Sequence, residues 1–319
     1  MYLKNSDTEK RYSIFPIKNQ DLWDAYKAAE KQTWVAEEVN LAQDKYDELN
    51  NDEKFYLKNI LAFFTISDGL VIENLCDNVI DNVDIEEAKY YYNHQTFIEQ
   101  VHANAYSLLI DTYIKDSKEK EDLFNSMLTN EAVNAKASWA ENWLNNGTFV
   151  EKLIAFACVE GIAFSSVFAG VFWFRTRQKM PGLAEMNELI LRDEGFHYEF
   201  AVQMFKEYVK DEYKPSKERI KEIILSCCET EKKFVEESLP DGLQGMTKDM
   251  MVEYVEFVTD IVLKDFTGET EFNVKNPLDY MKKIGLSSKN NFFERRTGGG
   301  YTRVDIPTSN DGIFDDIDF

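Results

Sequence analysis

Histidine is the scarcest chemically active residue in this chain, with three copies in 319 residues, beside four cysteines and six prolines. The cysteines, Cys76, Cys158, Cys227 and Cys228, form no Cys-x-x-Cys pair and no zinc spacing, which excludes a dithiol redox motif and a zinc finger. Cys76 and Cys158 fall in apolar helical stretches and read as core, as in a reduced, intracellular protein. No Gly-rich phosphate loop is present. Positive charge is also short. Lys and Arg number 36 against 58 Asp and Glu, a net charge of −22, so a nucleic-acid groove is excluded and anionic membrane surfaces are disfavoured. Residues 1–12 contain no apolar h-region, so no signal peptide is expected. One apolar run, residues 153–174, is long enough to cross a bilayer. It carries Glu160 and has no second span of similar quality, so it reads as the central helix of a soluble bundle. The expected location is cytoplasmic, with no membrane partner.

Proline and glycine are sparse up to residue 285, and no run alternates as a strand, so the chain reads as all-α. Helical periodicity appears near residues 20–32, 53–80, 86–115, 120–145, 150–178, 183–210, 215–238 and 246–265. The charged run Lys115–Asp122 reads as a solvated loop. Beyond about residue 285 the character changes. Thr297 and three glycines form a flexible joint, followed by a polar stretch and the acidic-apolar end Gly312–Phe319. Such a segment buries no core of its own. The expected organisation is therefore a helical domain over 1–285 and a flexible C-terminal tail over 286–319.

Two of the three histidines stand three residues after a glutamate, in Glu99-Gln-Val-His102 and Glu194-Gly-Phe-His197. On a helix, positions i and i+3 share a face. Each pair therefore aims a hard carboxylate and an imidazole at one point, a donor set suited to iron or manganese. Two such pairs plus one carboxylate from each of two further helices is the ligand pattern of di-iron and di-manganese bundles. The further carboxylates should be acids stranded on apolar faces. Glu160 is the only charge in residues 153–174, and Asp68 has Leu61, Phe64, Val71, Ile72 and Leu75 at helical spacing. A buried carboxylate needs a cation or a proton. Glycine follows Asp68, Glu160 and Glu194; glycine inside a helix costs about 1 kcal/mol against alanine, so the repeat points to close helix approach around one centre.

From about Phe15 to Phe319 the chain resembles the small, radical-generating subunit of class I ribonucleotide reductase. The residues that carry the resemblance are WVAEEVNL from Trp34, LAFFTISDGLVIENL from Leu61, FIEQVHANAYSLLIDTY from Phe97, ACVEG from Ala157, NELILRDEGFHYEFA from Asn187 and NFFERR from Asn291. The resemblance implies a ferritin-like helical bundle with extra helices, a homodimer, and a larger subunit that binds nucleotides. It implies two metal ions per chain, a di-iron pair that is oxo-bridged when oxidised, with manganese left open. The implied ligands are Asp68, Glu99, His102, Glu160, Glu194 and His197, the six that the spacing argument reaches. It adds Tyr106 as the residue oxidised to a stable radical, in a pocket formed by Phe164, Phe168 and Ile190. Taken alone, a buried tyrosine at that position reads as core.

The resemblance also implies a relay in which His102 meets Asp193, Asp193 meets Trp34, and Tyr301 continues the path in the tail. Phe314, Ile317 and Phe319 would dock the tail on the larger subunit, which reduces ribonucleotides to deoxyribonucleotides for DNA synthesis. The flanks of Tyr301 match the family loosely, and Gln95 stands where some bacterial relatives carry tryptophan. Three other functions fit a ferritin-like bundle. Iron storage is opposed by the chain length and the tail, and an oxidase or desaturase by Tyr106, Trp34 and the tail. A silent paralogue is opposed by the presence of all six ligands.

Overall fold

The structure, a computed structural model, describes residues 2–7, 11–125, 130–241 and 243–281, with backbone only at 66, 68, 70, 77, 78 and 144. These residues belong to one compact unit, Met1–Ile284; Gly285–Phe319, with Tyr301 and the three tail anchors, lies outside the described residues. The described elements are helices α1 (Gln20–Glu30), α2 (Asn51–Asn74), α3 (Glu86–Tyr113), α4 (Ser117–Phe124), α5 (Glu131–Asn146), α6 (Phe149–Cys158), α7 (Ser165–Thr176), α8 (Pro181–Gln203), α9 (Lys217–Ser238) and α10 (Lys248–Thr267). Wide π-turns follow α2 (Leu75–Val79), α6 (Val159–Ala163) and α8 (Met204–Tyr208). Among the described residues the only β pairing is a bridge between Leu3 and Val209.

At the centre α2 packs on α3, and α8 packs on α3, on α6, on α7 and on the π-turn between those two. Helices α1, α5, α9 and α10 form the outer layer against these five. The run Phe149–Thr176 is apolar enough to span a membrane, but 94% of its most apolar window is buried inside the protein. It is the core helix of the bundle, as its all-round apolarity predicts. Helix α3 follows the same logic on one face: Gln95, Glu99, His102, Tyr106 and Leu109 are all buried at alternating steps of three and four.

Local chemistry sets the helix ends. Asn50 and Glu53 form a capping box at α2, and Thr148 and Glu151 form one at α6. The start of α8 is held from a distance. Asp44 accepts from Gly182 N at 2.7 Å and Leu183 N at 2.9 Å, satisfying two orphan donors of that terminus. Tyr113, at the end of α3, donates to the same carboxylate. A Cβ on Gly182 would stand 2.8 Å from Asn40 O, so only glycine admits this clasp.

Three expectations fail. The run Lys115–Asp122 lies mostly in helix α4, because Asp116 caps Glu119 N at 2.8 Å and Lys and Glu are good helix formers. Cys76 is exposed, not core. It sits in the first π-turn, where the wider winding turns the following residues off the α-helical face that Leu75 continues. Gly69 is exposed, and a Cβ there would meet nothing within 4 Å, so its place after Asp68 reports no close packing. Gly161 does lie at a close approach, with Tyr198 and Val262 at 3.1 and 3.2 Å from a built Cβ.

One buried ion pair ties α5 to α9. Lys136 Nζ lies 2.6 Å from Glu231 Oε2 and donates to Ala163 O at 2.6 Å. It also lies over the ring of Phe63, 3.3 Å from its centroid. Burial pushes the Lys136 ammonium below its ordinary value, and Glu231 opposes that shift only in part. Glu231→Ala should cost about 3–5 kcal/mol, because the cation is left buried without its partner. Lys136→Met combined with Glu231→Leu should cost far less. Urea denaturation midpoints of the two variants test this, and equal losses would show that the pair is not the source of the penalty.

Candidate metal centre

Helices α3 and α8 each bring one Glu-x-x-His pair to the same buried point. Glu99, His102, Glu194 and His197 are exposed by 3% or less, and Glu160 on the π-turn joins them at 2%. Ligand atoms of Glu99, Glu160, Glu194 and His197 lie within 4.8 Å of one another. The connectivity is a ring. Glu99 places Oε1 2.9 Å from His197 Nδ1 and Oε2 3.2 Å from His102 Nδ1. Glu194 places Oε2 3.0 Å from His197 Nδ1 and Oε1 3.2 Å from His102 Nδ1. Each of these carboxylates therefore spans both imidazoles. Glu160 Oε1 lies 4.0 Å from His197 Nδ1 and 3.4 Å from Gln95 Nε2. Asp68 lies on the inner helix α2, and its side chain is outside the described residues.

Protons alone serve this ring poorly. One imidazole nitrogen offers one N–H, yet His197 Nδ1 faces Glu99 and Glu194 at 3.0 Å or less. Glu99 Oε1 and Glu194 Oε1 are sealed from solvent and accept no hydrogen bond of good geometry. Buried anionic oxygens in that state call for a cation. Carboxylate oxygen with imidazole nitrogen is the donor set of iron and manganese. Among the described residues the site gathers three carboxylates, Glu99, Glu160 and Glu194, beside the two imidazoles. The residues fit a dinuclear metal group.

The electrostatics agree. Burial pushes the His197 imidazole down, but the carboxylates of Glu99 and Glu194 outweigh it and raise the group to about 9. His102 is likewise lowered by burial and raised further by Glu194, Asp193 and Glu99, ending well above its ordinary value. Burial raises the Glu194 carboxyl, and the two histidines bring it below the usual range. The surrounding carboxylates thus push both imidazoles toward their protonated forms.

The other nitrogen of His102 points outward along a polar path. His102 Nε2 lies 3.3 Å from Asp193 Oδ2, and Trp34 Nε1 donates to that same oxygen at 2.7 Å. Arg192 clamps Asp193 Oδ1 with two bonds of 3.1 and 2.9 Å. Burial raises the Asp193 carboxyl, and Arg192, His102 and Trp34 together hold it below its ordinary value. On the other side Tyr106 is fully buried and stacked on Phe64 at 4.1 Å between centroids. Phe164 and Phe168 pack on Phe64 at 5.7 and 5.2 Å, and Ile190 is buried on α8. The Tyr106 hydroxyl donates to Asn187 Oδ1 at 3.0 Å.

Asn187, Arg192 and the Gln95–Glu160 contact escape the sequence argument. Asn187 had a signal: it stands seven residues before Glu194, on the buried face of α8. Arg192 had none beyond its place next to Asp193.

Comparison with known proteins gives a single answer. The family model for ribonucleotide reductase, small chain, matches residues 11–277. The zebrafish (Danio rerio) ribonucleoside-diphosphate reductase subunit M2 is 46% identical over 300 residues, 93% of this chain and 77% of that protein. The ribonucleoside-diphosphate reductase small chain of vaccinia virus (strain Copenhagen) is 45% identical over 313 residues, 97% of each. Among solved structures, the ribonucleotide reductase Rnr4 homodimer from Saccharomyces cerevisiae superposes with a TM-score of 0.78 at 34% identity. It covers 86% of this chain and 88% of that one.

Imidazolium cannot ligate a metal, so the raised pKa of His102 and His197 leads us to expect proton release on metal uptake. Anaerobic Mn(II) titration calorimetry at pH 7.5, in buffers of different ionisation enthalpy, should show proton release that fades as pH rises through about 9 for His197. The metal-free fold should behave in the matching way. A raised histidine contributes stability fully below its ordinary 6.5 and loses it as pH rises through about 9. Binding without proton release would show that the two histidines are already neutral in the metal-free protein.

Proposed function

The chain belongs to the family of ribonucleotide reductase small chains, and on that premise we propose that the ring of Glu99, Glu194, His102 and His197 is its dinuclear metal centre, with Tyr106 as the radical residue. The observation that carries this reading is the double span, in which two carboxylates each face both histidines. Asp68 and Glu160 would complete the ligand set, one from α2 and one from the π-turn. Iron is the ion we favour, and manganese uses the same donors. When bound, the metal pair supplies the redox chemistry that activates O2 and provides a one-electron oxidant.

The chain's own residues then set where the oxidising equivalent rests. Tyr106 is shut away from water by Phe64 and its neighbours, and its hydroxyl is held in place by Asn187. Burial in an aromatic wall removes the solvent and small reductants that would quench a neutral radical. His102, Asp193 and Trp34 form a continuous hydrogen-bonded path away from the metals. Asp193 fixes the tautomer and orientation of His102, as carboxylates do behind metal-bound histidines. We place Trp34 and Tyr301 on the route to the larger subunit, where a ribonucleoside diphosphate is reduced. The chain would act as a homodimer in the cytoplasm, with residues 286–319 as the docking tail and Phe314, Ile317 and Phe319 as its anchors.

Two experiments test this reading. Loading with Fe(II) and O2 should give a tyrosyl electron paramagnetic resonance signal, and Tyr106→Phe should abolish it while both metals remain bound. An unchanged signal in that variant would place the radical on another tyrosine. Deleting residues 313–319 should abolish nucleotide reduction yet leave the Tyr106 signal intact, because the tail binds the partner and not the metals. Full turnover by the truncated subunit with its large subunit would refute the docking role.

A further inference from the structure

A pocket of about 40 Å³ lies between α2, α5, α6, α9 and the π-turn that carries Glu160. Its inner wall includes Ser67, Val159 and Ala163. Ser67 and Val159 are the chain neighbours of the two carboxylates. Its outer wall includes Trp139, Ala140 and Thr230, which are half-exposed and mark the mouth between α5 and α9. The accessible lining is almost wholly apolar. The Lys136 and Glu231 charges beside it are already spent on each other and on Ala163 O.

A water needs about 10–15 Å³ of such volume and two to four polar partners, whereas apolar cavities stay dry and take apolar guests. This pocket has the volume for two or three small molecules, and almost none of the surface it offers them is polar. We propose that it is the entry and holding pocket for a small apolar gas, dioxygen, on its way to the metal pair. The proposal rests on the O2-activating reading above. It assigns a function to a region that holds neither metal ligand nor radical. Two polar features stand against it: Asn74, whose buried side-chain oxygen and nitrogen border the pocket without a hydrogen-bond partner, and Glu231, whose Oε2 faces Lys136 but accepts no hydrogen bond of good geometry. Ordered water is therefore the rival occupant.

The test has two arms. Crystals of the metal-free full-length protein, pressurised with xenon, should show xenon between Trp139 and Ala163. In stopped-flow mixing of the Fe(II)-loaded protein with O2, Ala140→Trp at the mouth should slow metal oxidation at least tenfold. Val71→Ala, which widens the pocket, should not slow it, and circular dichroism and iron content establish that each variant is folded and loaded. If Ala140→Trp does not fold, Ala140→Phe takes its place, and the xenon arm needs no variant. Ordered water on Asn74 in place of xenon, or oxidation of the mouth variant at the wild-type rate, overturns this proposal while wild-type oxidation leaves the functional reading standing. A wild-type protein that binds iron but does not react with O2 overturns both.

Discussion

Everything in this fold answers to one electrostatic problem: several carboxylates lie in a core with no access to water. Glu99 and Glu194 cannot be paired off separately, because each reaches both histidines. The solution is collective, and it needs α3 and α8 at one fixed register. A slide of either helix by one residue would rotate its Glu-x-x-His pair by about 100° out of the ring. The clasp of Asp44 on α8, shared with Tyr113 at the end of α3, ties the two helices to each other outside the site. The aromatic packing of Phe64 against Tyr106 ties α2 to α3 on the other side.

Much of this was legible in the sequence because the relevant periodicity is strong. Glu99 and His102, and Glu194 and His197, had to share faces once their segments were helical. Glu160 stood out because nothing else charged lies near it in the chain. Other features were hidden for physical reasons. A π-turn leaves no mark in hydrophobic periodicity, so neither the exposure of Cys76 nor the special winding at Glu160 could be read. The run Lys115–Asp122 has the composition of a loop and of a solvated helix alike, and only the Asp116 cap separates the two. The glycine signal was half informative: Gly161 sits at a true close approach, and Gly69 does not. Asn187 was passed over because a neutral amide on a buried face draws less notice than an acid, although its burial is as demanding.

Asp193 deserves comparison with the ring ligands. It is equally buried, yet it gives one oxygen to Arg192 and the other to both His102 and Trp34. The guanidinium makes that carboxylate a permanent acceptor. The path from His102 to the Trp34 indole thus has a fixed polarity, with donors on both sides of one anionic oxygen.

The burial of the ring also has a kinetic meaning. Glu99 and His102 are 0% exposed, Glu194 is 1%, Glu160 is 2% and His197 is 3%. Ions held in this way would meet no solvent ligand while the ring stays closed. Their release would then wait on a local parting of α3 and α8, an opening with its own free energy. Iron and manganese share these donors, so the ring itself ranks them weakly. Occupancy would then follow from which ion is at hand when the helices close, and a closed ring would keep that choice as a memory of its assembly.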